Sequence, residues 1–594
     1  PNFSSEENFN PCIRTHGCGA TTEMMAEHFG GFRRCSTMST ACSSAANAIL
    51  EGARLIRLGL ADIAVVGGSE SLSRFHLNGF NSLMILDREP CRPFDSTRAG
   101  LNLGEGAAFV VLESESSASR RGARPVGYIS GCANACDAFH QTASSADGEG
   151  AFLAMTGALR DAGLTPSDID YVNAHGTGTP NNDLSESAAL ARVFGERMPY
   201  VSSTKSYTGH TTSASGSIET VISLLAINAG LVPGGLRCAS PDPGCVLQLS
   251  SNVNTRVDHV MCNSFGFGGN DSSLIISSVD AVAATESKQD CIVSEKPVYI
   301  RSTAAISCQK PLSDEFLTDP IIPEGDLVRS IDPEWKPFFT PMEGRRLGKI
   351  LKRALATSLT ALREAGLTSP DGIITGTGMG CIDNSEVFLK GLCEQGESCS
   401  MPTYFMQSTH NTIGSTIGIK TKCQGYNTTI SHQFISFELS MQDALEQFMC
   451  GFCGNILVGA FDEITDTFAN ALKGGSALQG LDVPLGEAAA SFVVTDSSED
   501  SLCRIGGVWT CYSPTQSDID SAIISMLDKC GLSTVDYVLY GSDNVDLSCL
   551  GNVRKENFKK IFCESMSSSS LAFHKAALMI AKGECRSMVI VNDT

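Results

Sequence analysis

One phrase occurs three times along this chain and limits what it can become: a helical stretch ending in Gly-Leu, a short polar turn, then an apolar strand. It runs from Leu159 to Leu164 ahead of Ile169–Val172, from Leu362 to Leu367 ahead of Gly372–Ile374, and from Leu527 to Leu532 ahead of Val535–Val538. Gly163, Gly366 and Gly531 close the three helical patterns, where glycine supplies a left-handed cap, and an apolar strand after such a cap suits a sheet covered on both faces. Helix-to-strand units repeated in this way imply a layered α/β fold. A second pairing extends the repetition. Ala61–Gly68 and Asn455–Ala460 are both strands that end in small residues after a long helical stretch, and Gly104-Glu105-Gly106 before Phe109–Val111 matches Gly486-Glu487-Ala488 before Phe492–Val494. The two halves therefore read as diverged copies of one domain, residues 1–279 and 297–594, joined where residues 280–296 lose periodicity and turn small and polar.

At 594 residues the chain exceeds what one hydrophobic core supports, which agrees with two units. No apolar run approaches the ~18–20 residues that cross a bilayer, and no signal segment opens the chain, so the expectation is a soluble, cytoplasmic protein. A net charge of −22 without basic clusters argues against nucleic acid as a partner. The 24 cysteines are scattered through apolar segments rather than gathered in a small framework, so most are expected to be reduced core residues. Cys450 and Cys453 have a redox-like spacing but sit on a helix-to-strand approach and are read as core. The run Gly376–Gly380 lacks the full dinucleotide pattern and a matching acidic residue, so no nicotinamide cofactor is implied.

The candidate chemistry lies in the first copy. Cys42, in the segment Thr40–Ala45, opens a helical run of small residues, where main-chain N–H groups and the helix dipole favour a thiolate. His175 follows an apolar strand and opens a Gly/Thr-rich turn, Asn173–Pro180. Lys205 to His210 and Asn263 to Gly269 complete the set. The histidines follow the cysteine by 133 residues and then by a further 35. These four motifs, in this order, resemble the β-ketoacyl-acyl carrier protein synthases of the thiolase superfamily. Residues 10–279 carry the resemblance, Arg92–Asp95 and Gly104–Gly106 included.

The resemblance implies a thiolase-like α-β-α-β-α fold and a decarboxylative condensation in fatty-acid, polyketide or polyene synthesis. In that chemistry Cys42 accepts an acyl chain from a carrier-protein thioester, and the main-chain N–H groups of Cys42 and Phe267 form the oxyanion hole. His175 and His210 bind the malonyl thioester carbonyl. Lys205 raises the positive potential near the histidines and Glu186 fixes its position. Phe267 is the gate on its glycine-flanked loop, Phe80 lines the acyl pocket, and Thr177 and Thr179 contact substrate. The partner is an acyl carrier protein bearing acyl and malonyl thioesters on phosphopantetheine, with no other cofactor and no metal. Two alternatives stay open, a non-decarboxylating acyltransferase of the same superfamily and a non-catalytic scaffold.

The second copy is expected to be inactive. Matching the strand ends Gly67 and Gly459 puts Phe434 at the position of Cys42, and Gly541 falls where His175 stands. No second histidine phrase follows, and Ser567–Ser570 and Leu571 are read as standing in its place. Such a domain resembles the chain-length factor, the inactive partner of a ketosynthase, and could form a pseudo-dimer with the first copy, a homodimer being the alternative. Only 41 residues precede Cys42, fewer than the family carries, so either the protein continues upstream or this segment is a remnant that needs a partner chain. Missing front strands are expected to leave a sheet edge and apolar helices uncovered.

Overall fold

The computed structural model describes residues 17–284, 293, 296–398, 401–452, 454–474 and 482–593. Most of the segment expected to join the units, 280–296, lies outside the described residues, as does Cys453. The first unit opens with an antiparallel ribbon, β1 (Ile63–Glu70) and β2 (Gly106–Glu113). Its main sheet is formed by β3 (Tyr128–Cys136), β4 (Tyr171–Asn173) and β5 (Tyr200–Ser202). A short ribbon of β6 (Leu231–Val232) and β7 (Val253–Asn254) follows, and then the hairpin β8 (His259–Gly266) and β9 (Asn270–Ser277). The sheet order is β3-β9-β8-β4-β5.

In the second unit β10 (Val298–Ile306), β11 (Gly372–Gly376), β12 (Tyr426–Ile430), β13 (Asn455–Asp462), β14 (Ala488–Thr495) and β15 (Cys503–Ile505) form one sheet in the order β12-β11-β13-β14-β10-β15. A smaller parallel sheet joins β16 (Tyr537–Tyr540), β17 (Arg554–Asn557) and β18 (Met588–Val591) in the order β17-β16-β18. The three cap glycines fall as expected: Gly163, Gly366 and Gly531 have φ of 66°, 72° and 70°.

Layering follows from which faces are apolar. β14 is buried at every position and reads as a continuous run of small and apolar residues, as a strand covered on both faces must. Helices Ser436–Met449 and Ser568–Ala581 cover one face of its sheet, and Lys349–Glu364 covers the other. In the first unit, helices Ser44–Arg57 and Ser215–Ala229 lie between the β1–β2 ribbon and the main sheet, while Glu149–Ala162 covers the far side.

The two units meet about a pseudo-twofold axis. Helices Ala20–Phe29 and Thr412–Thr421 are counterparts 392 residues apart, and so are Ser44–Arg57 and Ser436–Met449. Met38 pairs with Ile430, its own counterpart. Ser39 N donates to Thr429 O at 2.9 Å, and Ser431 N donates to Thr37 O at 2.8 Å, so each bond is the symmetry mate of the other. Asn427 N, on β12, donates to Asn134 Oδ1 of β3 at 2.8 Å, which joins the two large sheets at their edges.

The units differ in what lies over their β1–β2 and β13–β14 pairs. Val65 and Val111 pair across the β1–β2 ribbon, as Leu457 and Val493 pair across β13–β14. Leu457 and Val493 are buried under helix Lys349–Glu364, whereas Val65 is 36% and Val111 64% exposed, with no counterpart of that helix over them among the described residues. In the second unit a cleft of about 1100 Å³ opens between β15, β18 and helices Ser436–Met449, Gln516–Lys529 and Ser568–Ala581, the place that β9 fills in the first unit.

This difference predicts unequal costs for one substitution at two counterpart positions. Val493→Ala should lower unfolding stability by about 2 kcal/mol through lost burial and an unfilled cavity, and Val111→Ala by less than ~0.5 kcal/mol. Thermal midpoints of the two variants provide the check.

Candidate active site

Cys42 lies in a one-turn 3-10 segment, Ala41–Ser43, that runs into helix Ser44–Arg57. Ala41 is held at φ 52°, a strained value for a residue with a side chain, and this sharp elbow turns the sulfur inward. Ser43 Oγ donates to Thr40 O at 2.8 Å and Ser44 Oγ to Ala41 O at 2.7 Å, which ties the elbow down.

His210 is the nearest partner of the sulfur: its Nε2 is 3.1 Å from Cys42 Sγ, and its Nδ1 is 3.0 Å from Ser215 Oγ. The main chain of His210 is held by the Gly104 motif, with His210 N donating to Asn102 O at 2.7 Å and Gly104 N to His210 O at 3.0 Å. A side chain on Gly104 would meet Thr208 O at 2.2 Å, so this close approach requires glycine. His175 leaves the end of β4 and meets His210 edge to face, with ring centroids 5.3 Å apart.

Behind the histidines Lys205 Nζ lies 3.3 Å from His175 Nδ1 and 2.5 Å from Glu219 Oε1, and Lys205 and Glu219 are fully buried. An ammonium can only donate, so His175 Nδ1 accepts and its proton resides on Nε2. Glu186 does not fix Lys205, contrary to the expectation. Its carboxylate accepts from His175 N at 2.8 Å and Gly176 N at 2.7 Å, and thereby sets the turn that carries the histidine. The counter-ion is Glu219, which the sequence reading missed. The signal was available, since Glu219 is the only charged residue in the otherwise apolar and small-residue helix Ser215–Ala229.

Burial also reverses the expected ionisation of the nucleophile. It pushes the Cys42 thiol up to about 11, and Lys205 together with the main-chain N–H groups of Phe267 and Cys42 offsets only part of the rise. The helix start does not produce a resting thiolate. Burial, reinforced by Lys205, holds both His175 and His210 well below the usual imidazole range, so both rings are neutral near pH 7. The site thus combines a protonated thiol, a neutral imidazole in contact with it, and two main-chain donors directed at the sulfur. That arrangement can activate a thiol only as its proton moves to His210.

The remaining expected residues surround this centre. Phe267 lies between Gly266 and Gly268, and its carbonyl accepts from Asn411 Nδ2 of the second unit at 2.8 Å. Gly268 has φ 86°, and a side chain there would meet Ser415 Oγ at 1.9 Å, so the loop is seated on helix Thr412–Thr421. Phe80, on helix Arg74–Ser82, stacks on Phe267 at 5.8 Å and meets Phe405 of the second unit at 5.4 Å. Thr177 and Thr179 bond to one another at 2.9 Å on the turn that leads from His175 to the surface.

Residues 28–118 and 323–503 match models described as the N-terminal domain of β-ketoacyl synthase, and residues 126–238 match the C-terminal domain. The chain belongs to the β-ketoacyl synthase family. It is 41% identical over 255 residues to the mitochondrial 3-oxoacyl-[acyl-carrier-protein] synthase of Arabidopsis thaliana, covering 40% of this chain and 55% of that protein. With 3-oxoacyl-[acyl-carrier-protein] synthase 2 of Staphylococcus aureus (strain COL) the identity is 39% over 252 residues, covering 41% of this chain and 61% of the relative. The chain therefore spans little more than half the length of these relatives. A solved structure titled PfaC Keto synthase-Chain length factor shares the fold over 91% of this chain and 68% of its own, with a TM-score of 0.78 at 18% identity.

Within the family scaffold, the second unit keeps the elbow and loses the chemistry. Gln433 repeats the strained φ of Ala41 at 48°, and Phe434 follows it where Cys42 stands. Gly541 follows β16 at the place of His175, as expected. The second histidine is replaced by Glu564, which corrects the alignment to Ser567–Ser570 and Leu571. Lys559 opens the helix after β17 as Lys205 opens the helix after β5, and Cys563 takes the positive φ of Gly209. Lys559 Nζ then pairs with Glu564 at 2.6 Å, a closed ion pair where the first unit has a lysine behind its histidines. Beside Phe434, a cavity bordered by Glu564 and Met566 amounts to about 20 Å³, room for a single water. The glycine run Gly376–Gly380 is also engaged, since Gly378 N and Met379 N both donate to Asp462 at 3.0 Å.

Lys205 lowers the Cys42 thiol and both imidazoles. Lys205→Met should accordingly move the rise of Cys42 acylation rate to higher pH and bring the histidines back toward their ordinary range. A pH–rate profile of acyl loading, read by intact mass, measures both shifts, and a profile identical to wild type would remove Lys205 from the electrostatics of the site.

Proposed function

We propose that this chain catalyses decarboxylative condensation of an acyl group on Cys42 with a malonyl thioester, both presented by an acyl carrier protein. The observation that carries the reading is the contact of Cys42 Sγ with His210 Nε2 at 3.1 Å inside a site where His175 and the buried Lys205–Glu219 pair stand behind it. In the loading step the thiol proton moves to His210 Nε2 as sulfur attacks the thioester carbonyl. The oxyanion faces the N–H groups of Cys42 and Phe267, and the departing carrier thiolate recovers the proton.

In the second step the malonyl thioester carbonyl accepts from Nε2–H of His175 and of His210. His210 changes tautomer between the two steps: Ser215 Oγ accepts from its Nδ1–H while Nε2 takes the thiol proton, and donates to Nδ1 once the proton is carried on Nε2. Loss of CO2 leaves its electron pair in an enolate. The enolate carbon attacks the Cys42 thioester, and collapse of the tetrahedral intermediate releases a β-ketoacyl thioester and expels Cys42 as a thiolate, which takes a proton from Nε2 of His210, the ring recovering one from solvent. Neutral imidazoles suit this role, since they stabilise the enolate oxygen without offering the carbon a strong acid. In this reading the enzyme is cytoplasmic and cofactor-free, its substrates arriving on the carrier's phosphopantetheine arm.

The second unit serves as a non-catalytic partner that shapes the acyl pocket. Phe388 and Phe405 of that unit close an aromatic cluster with Phe75, Phe80 and Phe267 of the first, so a chain growing from Cys42 past Phe267 would end against them. Phe405→Ala should therefore lengthen the products, as read by mass spectrometry of the released thioesters.

Intact mass after incubation with acyl-loaded carrier protein tests the catalytic reading. Wild type should gain one acyl group and Cys42→Ala none, and malonyl carrier should discharge the adduct as a β-ketoacyl product. His175→Ala should still load while slowing discharge by about 10²–10³-fold. An adduct discharged only by a non-carboxylated thioester would indicate a thiolase-type transferase, and a folded protein that never loads would indicate a scaffold.

A further inference from the structure

Beside the pseudo-twofold axis lies a buried cluster of charges that the chemistry does not use. Glu51 and Arg54 project from the nucleophile helix Ser44–Arg57, and Asp443 and Glu446 from its counterpart Ser436–Met449. All four are 5% exposed or less. Arg34 completes the set from the strand-like segment before the elbow. Arg34 bonds to Glu51 at 2.8 Å and to Glu446 at 2.5 Å, while Arg54 bonds to Glu51 and reaches Asp443 at 2.5 Å and Glu446 at 3.5 Å. Tyr426 donates its hydroxyl to Asp443 at 3.0 Å.

The register makes this cluster informative. Glu51 and Asp443 are counterparts 392 residues apart, as are Arg54 and Glu446, and Arg34 and Tyr426. The same three positions thus hold Arg, Glu, Arg in one unit and Tyr, Asp, Glu in the other. Joined as they are, the units bring two guanidiniums to three carboxylates. Two second units joined about the same axis would bury four carboxylates with no cation, and two first units would bury four guanidiniums against two carboxylates. Uncompensated charge in such a site is costly, and placing like charges opposite one another is how interfaces reject wrong partners.

We infer that this five-residue cluster is a pairing lock, which makes the first unit select the second and makes the second unit unable to pair with a copy of itself. Arg54 is its key, because it alone touches all three carboxylates. Burial and the neighbouring Glu51 raise Glu446, which spares the joined cluster part of its surplus negative charge.

The test uses the intact chain and thermal midpoints. Arg54→Gln leaves one cation among three carboxylates, and Glu446→Gln leaves two cations with two. The first should lower the midpoint by on the order of 5 °C and the second by much less. Arg54→Glu and Glu446→Arg should each destabilise, while the exchanged double variant Arg54→Glu/Glu446→Arg, which restores the original charge count, should regain at least half of the summed loss. Equal effects of the two glutamine variants, or a double variant that loses the sum of its singles, would show that these positions act by packing and would overturn the lock. Should both charge-reversed singles fail to fold, the glutamine pair decides alone.

Discussion

Two reciprocal hydrogen bonds, Ser39 to Thr429 and Ser431 to Thr37, set the frame on which everything else depends. They join the strand before one elbow to the strand before the other, so the position of Cys42 is fixed by the second unit as much as by its own helix. From that seam helix Thr412–Thr421 runs under the Phe267 loop, where Asn411 holds its carbonyl. The N–H group of Phe267 is aimed at the sulfur from a loop that the first unit alone does not support. A copy that has lost its own cysteine and both histidines is thereby retained as structure.

Burial is the second organising constraint, and it acts in opposite senses on the two kinds of group in the site. It keeps the thiol protonated and the imidazoles unprotonated, so none of the three groups that meet at the sulfur is charged at rest. In the proposed reaction charge appears only as the steps proceed, where main-chain N–H groups and imidazole N–H groups would meet it. The second unit shows the same scaffold and the same burial with other groups in place: Lys559 is kept, its histidine neighbour has become Glu564, and the pair neutralises itself. Loss of function there is a filled and electrostatically closed site rather than an unfolded one.

Much of this was legible in the sequence because local physics wrote it there. The three Gly-Leu caps, the strands buried on both faces, the duplication, the order of cysteine and histidines, and the inactive Phe434 and Gly541 positions all follow from patterns within a few residues or from fixed spacing. What failed did so for a common reason. Glu186 was taken as the partner of Lys205 and Glu219 was overlooked, because a salt bridge is a meeting in space and nothing in a linear reading ranks one buried carboxylate above another. Aligning Ser567–Ser570 with the second histidine failed likewise, since the helix Pro180–Phe194 between β4 and β5 is replaced by the single turn Ser548–Leu550 between β16 and β17, which shortens the second copy ahead of Lys559.

The sequence by itself determined that this chain doubles one layered α/β domain and keeps the cysteine and the two histidines in the first copy only, because secondary-structure periodicity and motif order are properties of the chain. Tertiary structure alone decided how those groups behave. Desolvation reversed the ionisation expected for Cys42, since the distance from water is set by packing and not by position in a helix. It decided also which arginine meets which carboxylate across the axis, because positions 392 residues apart become neighbours only when the two units close on each other.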